Sequence, residues 1–210
     1  MTTGDRQVLE THAELIKEYL MDTRLDLVTD CIAGFPEGIH TEEDEERSIP
    51  NVVKTGRLLV RNSRVNALLL SCAADPGLEH LRSEVNVPVV GAGSAVASFA
   101  LLLDRPVGVL GIGDESPKVI RKSLGEKFVG YARPEGVRTT FDIQEKRDEY
   151  VAAAGRLISE NGARSILLAC TGLSTARIAS KLEKELDVPV IDPVIAAGIL
   201  AYYLARRNIV

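Results

Sequence analysis

The sequence predicts an α/β fold: two similar three-layer α/β lobes with parallel sheets, related by a pseudo-twofold, with a cleft between them. Three observations carry this reading. Short apolar runs alternate with stretches of helical periodicity along the whole chain. The core must be aliphatic, because hydrophobic residues make up 45% of the chain while aromatic ones make up only 4% and Trp is absent. That suits strands covered by helices on both faces. Finally, one long pattern occurs twice.

The elements follow in order. Helical spacing covers residues 6–20, and 25–31 ("LDLVTDC") has the composition of a strand. The acidic run 41–47 ("TEEDEER") is expected to be a solvated loop or a helix start, with gating of a site as the lesser possibility. It leads into a helix over about 48–62. Strands are expected at 65–71, 87–92, 106–112, 127–132, 165–170 and 188–192, and helices at 76–84, 94–103, 117–124, 145–161, 174–186 and 194–206. In 145–161 the residues Tyr150, Val151, Ala154, Leu157 and Ile158 recur at helical spacing, and Gly162 is a natural stop. Asp75-Pro76, Ser116-Pro117 and Asp192-Pro193 each set a capping side chain before a proline, the signature of a helix start. Each follows a strand directly, and ligands bind at that edge of open α/β sheets.

The repeat pairs "NALLLSCAADPGLEHLRSEVNVPVVGAGSAVASFALL" with "RSILLACTGLSTARIASKLEKELDVPVIDPVIAAGILAYYL". Each copy reads strand, Cys, small-residue turn, helix, Val-Pro-Val strand, then an alanine-rich helix. The cysteines stand 98 positions apart (170 − 72) and the prolines of the Val-Pro-Val strands 101 apart (189 − 88). The expected division is residues 1–104 plus 193–210 as one lobe and 105–192 as the other. The second lobe opens with the strand 106–112, whereas the first opens with "MTTGD" and a helix. The expectation is therefore that the first lobe lacks an internal strand, through a start assigned too late or a truncated chain.

Charge and cysteine usage narrow the functions. The formal net charge is −5, with no basic cluster, which argues against nucleic acid or an anionic membrane surface as partner. The start lacks the pattern of a signal peptide and no apolar run approaches a membrane span, so a cytoplasmic location is expected. Three cysteines without C-x-x-C spacing disfavour a disulfide framework or a redox pair, and three scattered histidines (His12, His40, His80) offer no metal site.

The matched cysteines remain. Cys72 and Cys170 each end a strand and precede a turn, so facing lobes bring both thiols to one cleft. Two-base proton transfer fits two facing thiols best: a thiolate removes a carbon-bound proton and a thiol delivers one to the opposite face. Helix N-termini lower a thiol's pKa, and a strand end beside a helix start is such a place. The developing enolate needs donors. Candidates are the backbone at Ala73, Ala74, Thr171 and Gly172, the Thr171 hydroxyl, Gly93 with Ser94, and Thr2 and Thr3 on the matching loop of the first lobe. Cys31 has no repeat partner and reads as structural; His80 reads as surface. "GIGDES" and "GAGSAV" each lack the third glycine of a dinucleotide fingerprint, so no nucleotide is expected. Lys54 and Arg82 are candidates to hold a substrate carboxylate, though sequence does not place them, and Glu37 is a candidate to line the cleft.

Four motifs in order, "SCAADPGLEHLR", "VPVVGAGSAV", "ACTGLS" and "VPVIDPVIAAG", resemble the Asp/Glu/hydantoin racemase superfamily, and hydantoin racemases most closely, over roughly residues 25 to 205. The resemblance implies a cofactor-independent isomerase of two α/β lobes, with Cys72 and Cys170 as the acid and base. It implies a small-molecule substrate and a homo-oligomer, a dimer or higher. 5-Substituted hydantoins are the leading substrate class and acidic amino acids the runner-up. Decarboxylation and cis–trans isomerisation are reactions of the same superfamily and stay open at this point, as does a non-catalytic small-molecule sensor.

Overall fold

In a computed structural model of the chain, the described residues are all except 1–5, 23, 36–37, 40, 138–145 and 208–210. They form helices α1 (Arg6–Leu20), α2 (Glu42–Ser63), α3 (Leu78–Glu84), α4 (Ala92–Leu102), α5 (Lys118–Leu124), α6 (Arg147–Asn161), α7 (Thr171–Thr175), α8 (Ile178–Leu186) and α9 (Pro193–Arg207). The strands are β1 (Leu68–Leu70), β2 (Val89–Gly91), β3 (Val107–Leu110), β4 (Phe128–Ala132), β5 (Ser165–Leu168) and β6 (Val190–Ile191). All pairing is parallel, in a two-stranded sheet β1-β2 and a four-stranded sheet β4-β3-β5-β6. The α/β class with parallel sheets is as the alternating pattern predicts.

Burial differs between the strands. β3 and β5 lie inside the larger sheet and are buried throughout, as continuous aliphatic runs require. β1 has one ladder neighbour among the described residues and is only partly buried. The α4 sequence "AGSAVASFALL" is apolar nearly all round because the helix packs on α5, on α9 and on strands of both sheets. One apolar cluster accordingly joins Ala73 and Val90 of the smaller sheet's segment to Val107, Leu167 and Ala197.

Two expectations need correction, and a third, the acidic run, resolves to its helix-start alternative. Residues 25–31 form no strand: the chain is irregular there, because no described strand offers it a ladder and β-structure exists only in pairs. The helix expected over 174–186 is two helices, broken at Arg177, whose backbone is left-handed (φ 53°) and whose guanidinium makes two bonds to Glu18 on α1 (2.7 and 2.9 Å). The acidic run is the start of α2 itself, with the Thr41 hydroxyl accepting from the Asp44 N–H. Four carboxylates in that first turn face the positive end of the helix dipole.

Of the three predicted caps, only Asp192 caps its own helix, accepting from the N–H groups of Val194 (2.9 Å) and Ile195 (3.0 Å). Asp75 caps a different helix, α4: its carboxylate accepts from Gly93 N–H (2.8 Å), Ser94 N–H (2.7 Å) and the Ser94 hydroxyl (2.5 Å). The Asp75 backbone is itself left-handed (φ 52°), which turns its side chain toward β2 and away from α3. Gly91 makes this possible, since a Cβ there would collide with the Asp75 carboxylate. Ser116 does not cap α5; its hydroxyl is buried without a partner.

Candidate active site

β1 and β5 both run toward one cavity of about 350 Å³, and both end in a cysteine that lines it. The two strand ends touch: the Thr171 hydroxyl donates to the Ser71 carbonyl (3.3 Å). Cys72 and Cys170 are free and half-buried. Ala73, Ala74 and Thr171 line the same cavity. Gly93, Ser94 and Gly172 do not, and the N–H groups of Gly93 and Ser94 are taken up by Asp75. Thr2 and Thr3, like Glu37, lie outside the described residues. Cys31 faces a separate groove beside α1, and His80 is exposed. Arg82 binds the Val89 carbonyl and Glu79, away from the cavity.

The thiol electrostatics differ from the expectation of a lowered pKa. Burial pushes both thiols up, Cys170 to about 11. Backbone donors work against this: the Ala74 N–H opposes it at Cys72, and those of Gly172 and Leu173 at Cys170. Desolvation wins because it penalises the whole charge, whereas one or two N–H groups recover only part of it. The Ala74 and Gly172 donors thus serve the sulfurs. Each thiol also sees a negative neighbour: Asp75 and Glu45 raise Cys72, and Cys72 raises Cys170. A thiolate at Cys72 thus makes a second one at Cys170 harder to form.

Two cavity features have no signal in the sequence pattern. Tyr131, from the end of β4, lines the wall beside Cys170 and donates to the Gly113 carbonyl (2.7 Å). Its ring occupies space that a side chain at position 111 would fill, so Gly111 is required there. His12, from α1, is buried directly behind the cysteines. Its Nδ1 lies 2.9 Å from the Ser71 hydroxyl, and its Nε2 lies 3.1 Å from the Thr171 carbonyl and 2.9 Å from the Thr175 hydroxyl. A carbonyl only accepts, so Nε2 carries the proton and Nδ1 accepts from Ser71. Burial lowers the His12 pKa to about 4, which keeps the ring neutral.

The remaining lining divides by chemistry. Ile32, Ile39, Val52, Leu70 and Ile112 provide an aliphatic wall. Four carboxylates (Glu42, Glu45, Asp114, Glu115) and one ammonium, Lys118, line the mouth; Lys118 pairs with Glu42 at 2.6 Å, and Asp114 pairs with the Arg133 guanidinium at 2.5 Å. The described lining is therefore acidic on balance. Among the described residues no group of three or more His, Cys, Asp or Glu side chains could hold a metal ion, and no helix is long and apolar enough to cross a membrane.

Comparison with known proteins gives a consistent set of likenesses. The profile of the family described as Asp/Glu/Hydantoin racemase matches residues 6–199. The chain is 33% identical to a hydantoin racemase of Pseudomonas sp. (strain NS671) over 172 residues, covering 77% of this chain and 66% of that one. It is 29% identical to a hydantoin racemase of Paenarthrobacter aurescens, covering 77% and 71%. The chain thus spans about two thirds of the length of these curated relatives. Its fold matches the structure of an allantoin racemase from Klebsiella pneumoniae with a TM-score of 0.83 at 22% identity, covering 99% of this chain and 86% of that one.

Proposed function

The chain belongs to the Asp/Glu/hydantoin racemase family, and from that premise we propose that it is a cofactor-independent racemase whose two thiols act as acid and base on a cyclic ureide of the 5-substituted hydantoin class. The observation that carries the reading is the meeting of Cys72 and Cys170 in one cavity, each at a strand end beside backbone donors. One sulfur, as thiolate, takes the proton from the ring carbon that bears the substituent. The electron pair moves into the adjacent carbonyl, and the opposite thiol gives its proton to the other face. The product is the mirror image, and the thiolate has changed sides.

Two features favour a ureide over an acidic amino acid. The aliphatic wall offers burial to an apolar substituent. The mouth carries four carboxylates, and its two cations are already engaged, Lys118 with Glu42 and Arg133 with Asp114, a poor receptor for a substrate with two carboxylates of its own. The same reading carries a small-molecule role in the cytoplasm and assembly as a homo-oligomer, without a cofactor or nucleic acid.

Loss of optical rotation tests the proposal. Single enantiomers of 5-substituted hydantoins, aspartate and glutamate are incubated with the protein and with Cys72→Ser and Cys170→Ser. The expected result is racemisation of hydantoins alone, lost in both variants. Racemisation that survives either substitution, or that favours aspartate or glutamate, would overturn it.

A further inference from the structure

We propose that His12 is a positioning residue for the two-thiol proton transfer, tying the strand end that carries Cys72 to the one that carries Cys170; the inference rests on the racemase reading above. The geometry is a bridge. Nδ1 accepts from Ser71, the residue before Cys72, and Nε2–H is shared between the carbonyl of Thr171, the residue after Cys170, and the hydroxyl of Thr175 one turn on. A second link runs beside it, from the Thr171 hydroxyl to the Ser71 carbonyl (3.3 Å). The ring is 4% exposed, so these bonds are made without competition from water.

Its place in the chain fits the role. His12 comes from α1, 59 residues from Ser71 and 159 from Thr171. α1 packs on α7 and α9, outside the cavity, and His12 is not among the residues that line it. The imidazole therefore acts on substrate only through the two loops it joins. Two-base transfer depends on the spacing of the sulfurs, because both must reach one carbon from opposite faces. A misplacement of about 1 Å in such a geometry can cost on the order of a hundredfold in rate.

The test separates positioning from simple stability. In deuterium oxide, a well-set pair inverts the carbon about once for each deuterium it delivers. If the delivering thiol is displaced, the carbanion is more often reprotonated from the face it left, after that thiol has exchanged with solvent. Deuterium then enters with retention. In His12→Ala and His12→Gln we expect turnover to fall about tenfold to a hundredfold, with KM little changed and the ratio of exchange to inversion clearly above that of the native protein. His12→Gln, which keeps one donor, should be the milder. Ser71→Ala removes the Nδ1 arm of the bridge and Thr175→Ala one of the two acceptors on Nε2, so both should raise the ratio less, Thr175→Ala least; they carry the test if His12→Ala does not fold. Leu182→Ala, a cavity in the core at α8, serves as the control that lowers stability with the ratio unchanged. A ratio that stays native in every bridge variant overturns the inference and leaves the racemase reading standing. Absence of any hydantoin racemisation by the native protein overturns that reading, and the inference with it.

Discussion

In the segment that follows Cys72, the first N–H groups of α4, at Gly93 and Ser94, are bound by Asp75, a carboxylate that reaches in from the cysteine loop over a glycine. In the segment that follows Cys170, the matching groups of α9, at Val194 and Ile195, are bound by Asp192, which stands at the strand end where the first segment has Gly91. Here the cysteine loop supplies only a hydroxyl: Ser174 donates to Asp192 at 2.8 Å. Both segments put a buried carboxylate against two helix N–H groups below a cysteine, yet they draw it from opposite sides of the contact. The helix end demands an acceptor; it is indifferent to which strand delivers it. A capping signature read from local sequence therefore finds the capping side chain and misassigns its helix, as at Asp75-Pro76.

The comparison can be broken, beginning with the largest effect. Gly91→Asp puts a second carboxylate where the Asp75 carboxylate already sits. It should cost about 4 kcal/mol through overpacking and a displaced buried charge. Adding Asp75→Ser recreates the second segment's arrangement in the first, and most of that loss should return. Denaturant midpoints of the two single variants and the double variant check it as a cycle.

Next, Asp75→Ala and Asp192→Ala each strip two helix N–H groups and a serine hydroxyl of their acceptor. Each should lower stability by about 2–3 kcal/mol. Nearly equal losses would show that the two caps are equivalent despite their different origins, whereas a negligible loss at either site would contradict the shared role.

A smaller effect comes from His12, which joins the two segments. Its folded pKa, about 4, lies below the ordinary 6.5. The unfolded chain therefore takes up the proton first as pH falls. The stability contribution is whole above pH 6.5 and is lost between 6.5 and 4, by about 2 kcal/mol at pH 5. His12→Gln should flatten the slope of stability against pH in that window. The smallest effect lies at the cavity mouth, where the Lys118–Glu42 pair is largely exposed. Lys118→Ala should leave the denaturant midpoint nearly unchanged.

How much is legible in the sequence depends on the range of the cause. The bounds of α1 coincide with the expected helix, and those of α5 and α9 come within a residue of it, because amphipathic spacing is local. The pairing of Cys72 with Cys170 is legible too, since the repeat ends one strand of each parallel sheet in a cysteine, at the edge where ligands bind. What depends on distant partners is not. Residues 25–31 have a strand's composition but no described strand to pair with. His12 looks like one polar residue on an amphipathic helix, and only the fold brings Ser71 and Thr171 to it. The thiol pKa values behave the same way: a helix start is visible in sequence, whereas the depth of burial that outweighs it is a property of the assembled cavity.

The central claim is that two thiols from matched segments serve opposite faces of one carbon. The most direct measurement is proton NMR in deuterium oxide of single hydantoin enantiomers with the native protein, Cys72→Ser and Cys170→Ser, repeated from pH 7 to 9. With burial holding both thiols above their ordinary value, exchange in the native protein should rise steadily across this range as thiolate forms. Each inversion should carry one deuterium, and both variants should lose inversion. Inversion that persists without either sulfur, or a rate flat across that range, would contradict the account.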